Sequence, residues 1–208
     1  LHTKSKLNKN KLLMRWYKTG ETFKTNKIRD KEFFRKYFSG RVLDIGAGDN
    51  PVIKNAFIFD KKEGDANNIL DYFDKYSFNC VYSSHCLEHI YNPHKALKEW
   101  SYLVKKEGYL IIIVPHEDLY EQHNWPSLYN SDHKHTFRVG NHPSWSPVSI
   151  DIISFLKNLK GFKIVSVSVQ DQNYNYKFLK KSAFVGNIRD LWSRIFYRFI
   201  RLISNRKI

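Results

Sequence analysis

Five of the nine histidines fall between residues 115 and 146: His116, His123, His133, His135 and His142. Packing alone does not predict such crowding. An imidazole titrates near neutrality and is suited to take a proton from a hydroxyl. Within Ser131–Phe137, His133 and His135 stand two apart and share a face if the segment is extended. Asp132 beside them is a carboxylate that can orient an imidazole or raise its basicity. His116, at the head of the stretch, is a further candidate. A plainer alternative is that one of these rings only hydrogen-bonds the loop to the body. A sharper rival is a divalent ion held by His133, His135, Asp132, His116 and Glu117. No zinc-type spacing occurs, so proton transfer is the reading adopted and no metal is assigned.

A second group of residues points to a cofactor. Val42, Leu43 and Ile45 make a short apolar run that breaks into Gly46-Ala47-Gly48, as a buried parallel strand does when it runs into a ligand loop. Glycines there let the backbone turn sharply and approach a ligand. Ala56–Asp60 is a second apolar run ending in a carboxylate, at the place where α/β nucleotide folds put an acid on ribose hydroxyls. A dinucleotide needs G-x-G-x-x-G and a helix start for its pyrophosphate, whereas this loop continues Asp49-Asn50-Pro51, and an acid there repels phosphate. S-adenosylmethionine carries a sulfonium, an amine and a carboxylate but no phosphate, and tolerates acids at Asp44 and near the loop.

These groups must be held by a regular scaffold. Ile69-Leu70 ahead of Asp71 reads as a short third strand and Phe78–Tyr82 as a fourth, with Ser83, Ser84 and His85 at its C-terminal end, the ligand side of an open α/β sheet. Asn92-Pro93 starts a helix with Ala96, Leu97, Trp100 and Leu103 on one face, and Gly108 is expected to end it. Tyr109–Val114, apolar without alternation, is expected as a central fifth strand. Pro115–Ser146 shows no sustained periodicity, and loops of that length are usually functional. Pro147–Leu159 reads as a helix, Phe162–Val169 as a sixth strand and Lys181–Ile188 as a seventh, antiparallel one. The expected fold is α/β, a Rossmann-like, doubly wound, seven-stranded sheet in three layers with an antiparallel last strand.

Taken together, VLDIGAGDNP, FIFD, the acid of NILD, FNCVYSSHCLEHI and LVKKEGYLIIIVP resemble the class I S-adenosylmethionine-dependent methyltransferases of the type 11/23 kind, in the family's order over about residues 41 to 170. The third loop glycine of that family is absent. The resemblance implies S-adenosylmethionine as cofactor and S-adenosylhomocysteine as product. The implied cofactor contacts come from Asp44, Gly46, Ala47, Gly48, Asp60, Lys61, Asp71, Ser84 and His85, with Asp60 on the ribose and Asp71 near the adenine. Ser131-Asp132-His133-Lys134-His135-Thr136-Phe137 resembles the D-H-x-H-x-F element of sugar-modifying and surface-polysaccharide methyltransferases of this fold, and Trp145-Ser146-Pro147 resembles their next helix start. This implies O-methylation of a sugar or sugar-phosphate acceptor in capsule or lipopolysaccharide synthesis. The stretch after the fourth strand lacks the Asn/Asp-Pro-Pro-aromatic motif of base amino-methylation and a Pro-Cys nucleophile, which argues against a nucleic-acid methyltransferase; the alternative readings are a methyltransferase of another small molecule or lipid, or of RNA.

Charge is unevenly placed. The 208 residues carry a net +15, of which residues 1–38 contribute +9 and residues 173–208 contribute +8, while 39–172 sum to −2. Basic ends around a neutral body suggest an anionic acceptor or surface. The expected organisation is a basic helical cap (1–40), a catalytic domain (41–188) containing the substrate loop (115–146), and a basic amphipathic helix (189–208). That last helix can pack on the domain, join a second subunit or lie on an anionic membrane. Cys80 and Cys86 read as reduced packing residues. No apolar run reaches membrane-spanning length and no signal-peptide pattern stands at the start, so a cytoplasmic protein, peripheral at most to the inner membrane, is expected.

Overall fold

The computed structural model describes residues 21–172 and 174–177. The chain divides into two compact units, Leu1–Val114 with Phe155–Ile164 and Pro115–Ser154 with the residues from Val165 onward. The helical patch expected at 10–17, the strand expected at Lys181–Ile188 and the amphipathic helix expected at 189–208 lie outside the described residues.

In the first unit, short helices α1 (Glu21–Lys27) and α2 (Lys31–Tyr37) precede strand β1 (Val42–Ile45). Asp30 caps α2, its carboxylate accepting from the Phe33 amide at 2.7 Å, which satisfies an amide that the first turn leaves unpaired. The parallel strands β2 (Phe57–Phe59), β1, β3 (Phe78–Ser84) and β4 (Val104–Ile113) lie in the order β2-β1-β3-β4. All four residues of β1 are buried. Phe38, Val42, Val52, Cys80 and Tyr82 form a core with Phe33, Phe34, Tyr109, Ile111 and Ile113 packed against it. Leu43, Ile45 and Val81 alternate to the opposite face of the sheet and are fully buried as well, so the sheet is covered on both sides, as parallel sheets are. The first two expected strands and the fourth are found close to their expected places.

Two expectations are corrected in this unit. Ile69-Leu70 is not a strand; it lies in a 3₁₀ helix, Ala66–Asp71. Local polar chemistry wins there: Asp65 accepts from the Asn67 amide at 2.9 Å, and helix α3 (Pro93–Tyr102) grips the turn through Trp100 Nε1 to the Ala66 carbonyl at 2.9 Å and Lys95 Nζ to the Asn67 carbonyl at 2.8 Å. Ile69 is its one buried residue. Gly108 does not end α3, which stops at Tyr102; it sits inside β4, where a Cβ would come within 2.7 Å of the Asn79 carbonyl oxygen. The pairing register shifts at this point, from Phe78 opposite Val104 to Cys80 opposite Tyr109. β4 pairs with β3 alone among the described residues.

In the second unit, β5 (Thr136–Arg138) pairs in parallel with β6 (Ser149–Asp151), and His116 bridges to Phe137. The loop expected over 115–146 therefore contains a strand, and a π-helical turn, Glu117–Glu121. The helix expected from Pro147 begins only at Ile152, as α4 (Ile152–Lys157), because Asp151 holds its start by accepting from the Ile153 amide at 3.1 Å and from Ser154 Oγ at 2.5 Å. Residues 162–169, expected as a strand, pair with no strand among the described residues. Their alternating Phe162, Ile164, Val167 and Val169 are exposed, since no strand pairs beside them among the described residues.

Trp100 is fully buried and its indole N–H meets a backbone carbonyl. Trp100→Phe keeps most of the packing but orphans that carbonyl, and should lower the stability seen in urea unfolding by about 1–3 kcal/mol. An unchanged midpoint would show that the indole bond is dispensable.

Candidate active site

The glycine loop is built by backbone hydrogen bonds and two carboxylates. Gly46 leaves β1 with φ +79°, and its amide reaches the Phe59 carbonyl at 2.8 Å. A Cβ there would lie 2.5 Å from Cys86 Cβ, so the turn needs glycine for both reasons. Asp60, at the end of β2, accepts from the Gly48 amide through Oδ2 and from the Lys61 amide through Oδ1, each at 2.7 Å. A carboxylate has about four lone-pair positions, so Asp60 keeps acceptor capacity for further donors. Beyond Gly48 the chain folds into turns, with the Asn50 amide on the Ala47 carbonyl at 3.1 Å and the Ala56 amide on the Ile53 carbonyl at 3.2 Å. No helix follows the loop before β2. A pyrophosphate would thus find neither a helix N-terminus nor a favourable field.

Asp44 lies beneath this loop, almost wholly buried, and accepts from the Val52 amide at 2.6 Å. Burial raises its carboxyl from the ordinary 3.8 to about 7, against the pull of the Val52 amide and with a further push from the charge of Asp60. Two carboxylates in electrostatic reach of one glycine loop suit a cationic ligand. Ala47 is buried in the turn, while Gly48 is exposed with open space where a Cβ would stand. At the end of β3, Ser83 Oγ donates to the Ile45 carbonyl at 3.0 Å and ties the two strand ends together. Ser84 is buried beside it. His85 takes a left-handed φ of +53°, gives its amide to the Ile113 carbonyl at 3.0 Å, and sets Nδ1 3.5 Å from Oε1 of the buried Glu88. Asp71 closes the 3₁₀ turn as an exposed carboxylate. Burial pushes the Cys80 and Cys86 thiols up to about 12, which keeps them protonated and leaves them as packing groups.

The second unit carries the histidines. His133 is the buried one, its Nδ1 2.6 Å from Glu121 Oε1 with side chains 2% and 1% exposed. A carboxylate at Nδ1 favours the tautomer with the proton there, so Nε2 becomes the nitrogen that can accept one. Tyr120 stacks on the same ring at 5.1 Å between centroids. Asp132 pairs with Lys134 Nζ at 2.9 Å, and Glu121, twelve residues upstream of His133, meets that imidazole at Nδ1. His135 is half-buried just before β5. His116 caps the π-helical turn, its Nδ1 accepting from the Asp118 amide at 3.2 Å. Glu117 is enclosed by hydroxyls: Ser144 Oγ donates at 2.9 Å, Thr136 Oγ1 at 3.3 Å, and Ser149 Oγ is also bonded to it. Glu121 escaped the sequence reading because a partner so far along the chain leaves no spacing signal, and only its place after a histidine-capped turn hinted at it.

A parallel α/β sheet with a glycine loop after β1 and a carboxylate ending the neighbouring strand fits a Rossmann-like methyltransferase fold. The methyltransferase domain family matches residues 27–147, more than half of the chain, which spans both this loop and the histidine-bearing stretch; the chain belongs to that family, and is an enzyme that transfers methyl groups. A search of curated proteins gave no match.

The proton on Asp44 gives a direct test of the loop's electrostatics. Its folded pKa lies near 7 and its unfolded value near 3.8, so between those values the folded state holds a proton that the unfolded chain has lost. Stability from this site therefore falls as pH rises from about 4 to about 7, by at most about 1.4 kcal/mol per pH unit, and is level above that window. Asp44→Asn should abolish this slope in urea unfolding measured across the range. A parent protein that gains stability over the same window relative to the variant would contradict the assignment.

Proposed function

We propose that the chain is an S-adenosylmethionine-dependent O-methyltransferase acting on a sugar or sugar-phosphate-type acceptor in surface-glycan synthesis. The observation that carries this reading is the loop after β1: close backbone approach at Gly46–Gly48, two carboxylates in reach, and turns where a phosphate site would need a helix. The donor set fits the cofactor's chemistry. Asp60 has acceptor capacity for ribose hydroxyls, Lys61 and Ala47 flank the loop with backbone groups, Asp71 stands where the adenine edge is expected, and Ser84 and His85 end the strand next to the loop. When bound, the cofactor supplies a methyl group made electrophilic by its sulfonium.

The chain's own part is to align a hydroxyl and remove its proton. His133 is the base in this reading. Glu121 fixes its tautomer and stabilises the imidazolium that forms, and burial of the pair keeps water from competing for the proton. Glu121 thereby takes the part first assigned to Asp132. His135 and His116 stand in the same unit as neighbours of this pair in sequence, with His116 acting through the turn it caps. The basic ends supply attraction to an anionic acceptor or to an anionic membrane surface on which such acceptors are assembled.

Calorimetry with S-adenosylhomocysteine tests the first half. Asp60→Ala should weaken binding by about 1–3 kcal/mol, since ribose hydroxyls would lose a partner in a desolvated site. Parent protein that binds NAD and ignores S-adenosylhomocysteine would remove the reading. For the second half, His133→Ala should lower transfer of labelled methyl to nucleotide-sugar acceptors about a hundredfold or more while cofactor affinity holds. A near-normal rate in that variant would return the base assignment to His135.

A further inference from the structure

The second unit contains another carboxylate-held imidazole that the reaction scheme above leaves unused. Asp118 Oδ1 accepts the Trp145 indole N–H at 2.8 Å and lies 3.2 Å from His123 Nε2. His123 stacks on Trp145, with ring centroids 5.1 Å apart and planes inclined by 26°. Unlike the buried His133 pair, the Asp118 and His123 side chains are each 30% exposed. The contact with Asp118 favours hydrogen on Nε2, which leaves Nδ1 as an acceptor. Among the described residues neither that nitrogen nor Asp118 Oδ2 has a protein hydrogen-bond donor.

The backbone is bent to achieve this. Gln122 and His123 both adopt left-handed conformations, φ +52° and +61°, although neither is glycine. Two consecutive residues of this kind are costly and persist where the surroundings over-determine them, which is common at binding sites. Gln122 is fixed from two sides, by the Tyr129 hydroxyl on Oε1 at 2.7 Å and by its own Nε2 on the Tyr174 hydroxyl at 3.4 Å. The result is a rigid aromatic pair with two hydrogen-bond acceptors on its rim. Such a rim complements hydroxyl donors, and Asp118 repels phosphates and carboxylates.

We propose that Asp118, His123 and Trp145 form a docking site for a neutral polyhydroxyl ring, the saccharide portion of the acceptor, with vicinal hydroxyls donating to Asp118 Oδ2 and His123 Nδ1. This rests on the proposed O-methyltransferase function and names the part of the acceptor that these residues hold. It assigns them binding and not proton transfer.

Saturation-transfer NMR on the full chain tests it, using the methyl α-glycosides of glucose, galactose and mannose, with and without S-adenosylhomocysteine. At least one glycoside should receive saturation from the parent. In Asp118→Asn, which keeps an acceptor for the indole but turns the outer oxygen into a donor, the signal should fall severalfold or more, as it should in His123→Gly, which removes the ring without adding backbone strain. Affinity for S-adenosylhomocysteine should be the same in all three proteins. No saturation of any glycoside by the parent overturns the site, as does undiminished signal in Asp118→Asn. If both variants lose folding stability in urea while glycoside signal persists, the cluster is bracing and the site is again overturned. Failure of S-adenosylhomocysteine to bind the parent would instead strike the proposed function, so the two ideas fall separately.

Discussion

Strands β1 and β2 are parallel neighbours joined by residues 46–56 alone. Parallel strands ordinarily need a crossover of a dozen or more residues, usually a helix. With so little chain, the connection must be a series of turns, and turns leave amides that a helix would have paired. The carboxyl groups of Asp44 and Asp60 take up two of them, on Val52 and Gly48. The same shortage of chain sets the character of the loop. A helix would have brought a positive dipole end to the loop, whereas here the loop meets turns and the carboxyl groups of Asp44 and Asp60.

In the second unit the organising element is the single π-helical turn, where the Gln122 amide reaches back five residues to the Glu117 carbonyl at 3.2 Å. Wider turns of this kind recur at functional sites because they splay side chains that an α-helix would stack. Glu117 goes to the hydroxyls of Ser144, Ser149 and Thr136, Asp118 to Trp145 and His123, and Tyr120 and Glu121 to His133. One turn thus braces the strand pair, the exposed rings and the buried imidazole. No helix among the described residues is long and apolar enough to cross a membrane.

Strand-forming runs and glycine turns were legible in the sequence because their causes are local. β1, β2 and β3 follow from short apolar runs, the start of α3 from Asn92-Pro93, and the loop after β1 from its glycines. Errors arose where a distant group decided the outcome. Ile69-Leu70 had a strand's composition, but Trp100 and Lys95 hold its neighbours in a 3₁₀ turn. Residues 162–169 had a strand's alternation but no strand to pair with among the described residues. In the candidate site, the histidine crowding over 115–146 is plain in the sequence, whereas the carboxylate on His133 Nδ1 comes from Glu121, twelve residues away. Partners across a folded loop leave no trace in spacing.

The register shift beside Gly108 sets how the end of β4 meets the core. Between successive paired positions β3 advances two residues, Phe78 to Cys80, and β4 advances five, Val104 to Tyr109. Because side chains alternate along a strand, an odd surplus of three inverts the phase of everything that follows. Only so do Tyr109, Ile111 and Ile113 come to share a face with Cys80 and Tyr82. Glu107, at φ +60°, breaks the extended backbone within Lys105–Gly108, so this short irregular stretch decides which face the last residues of β4 present to Cys80 and Tyr82.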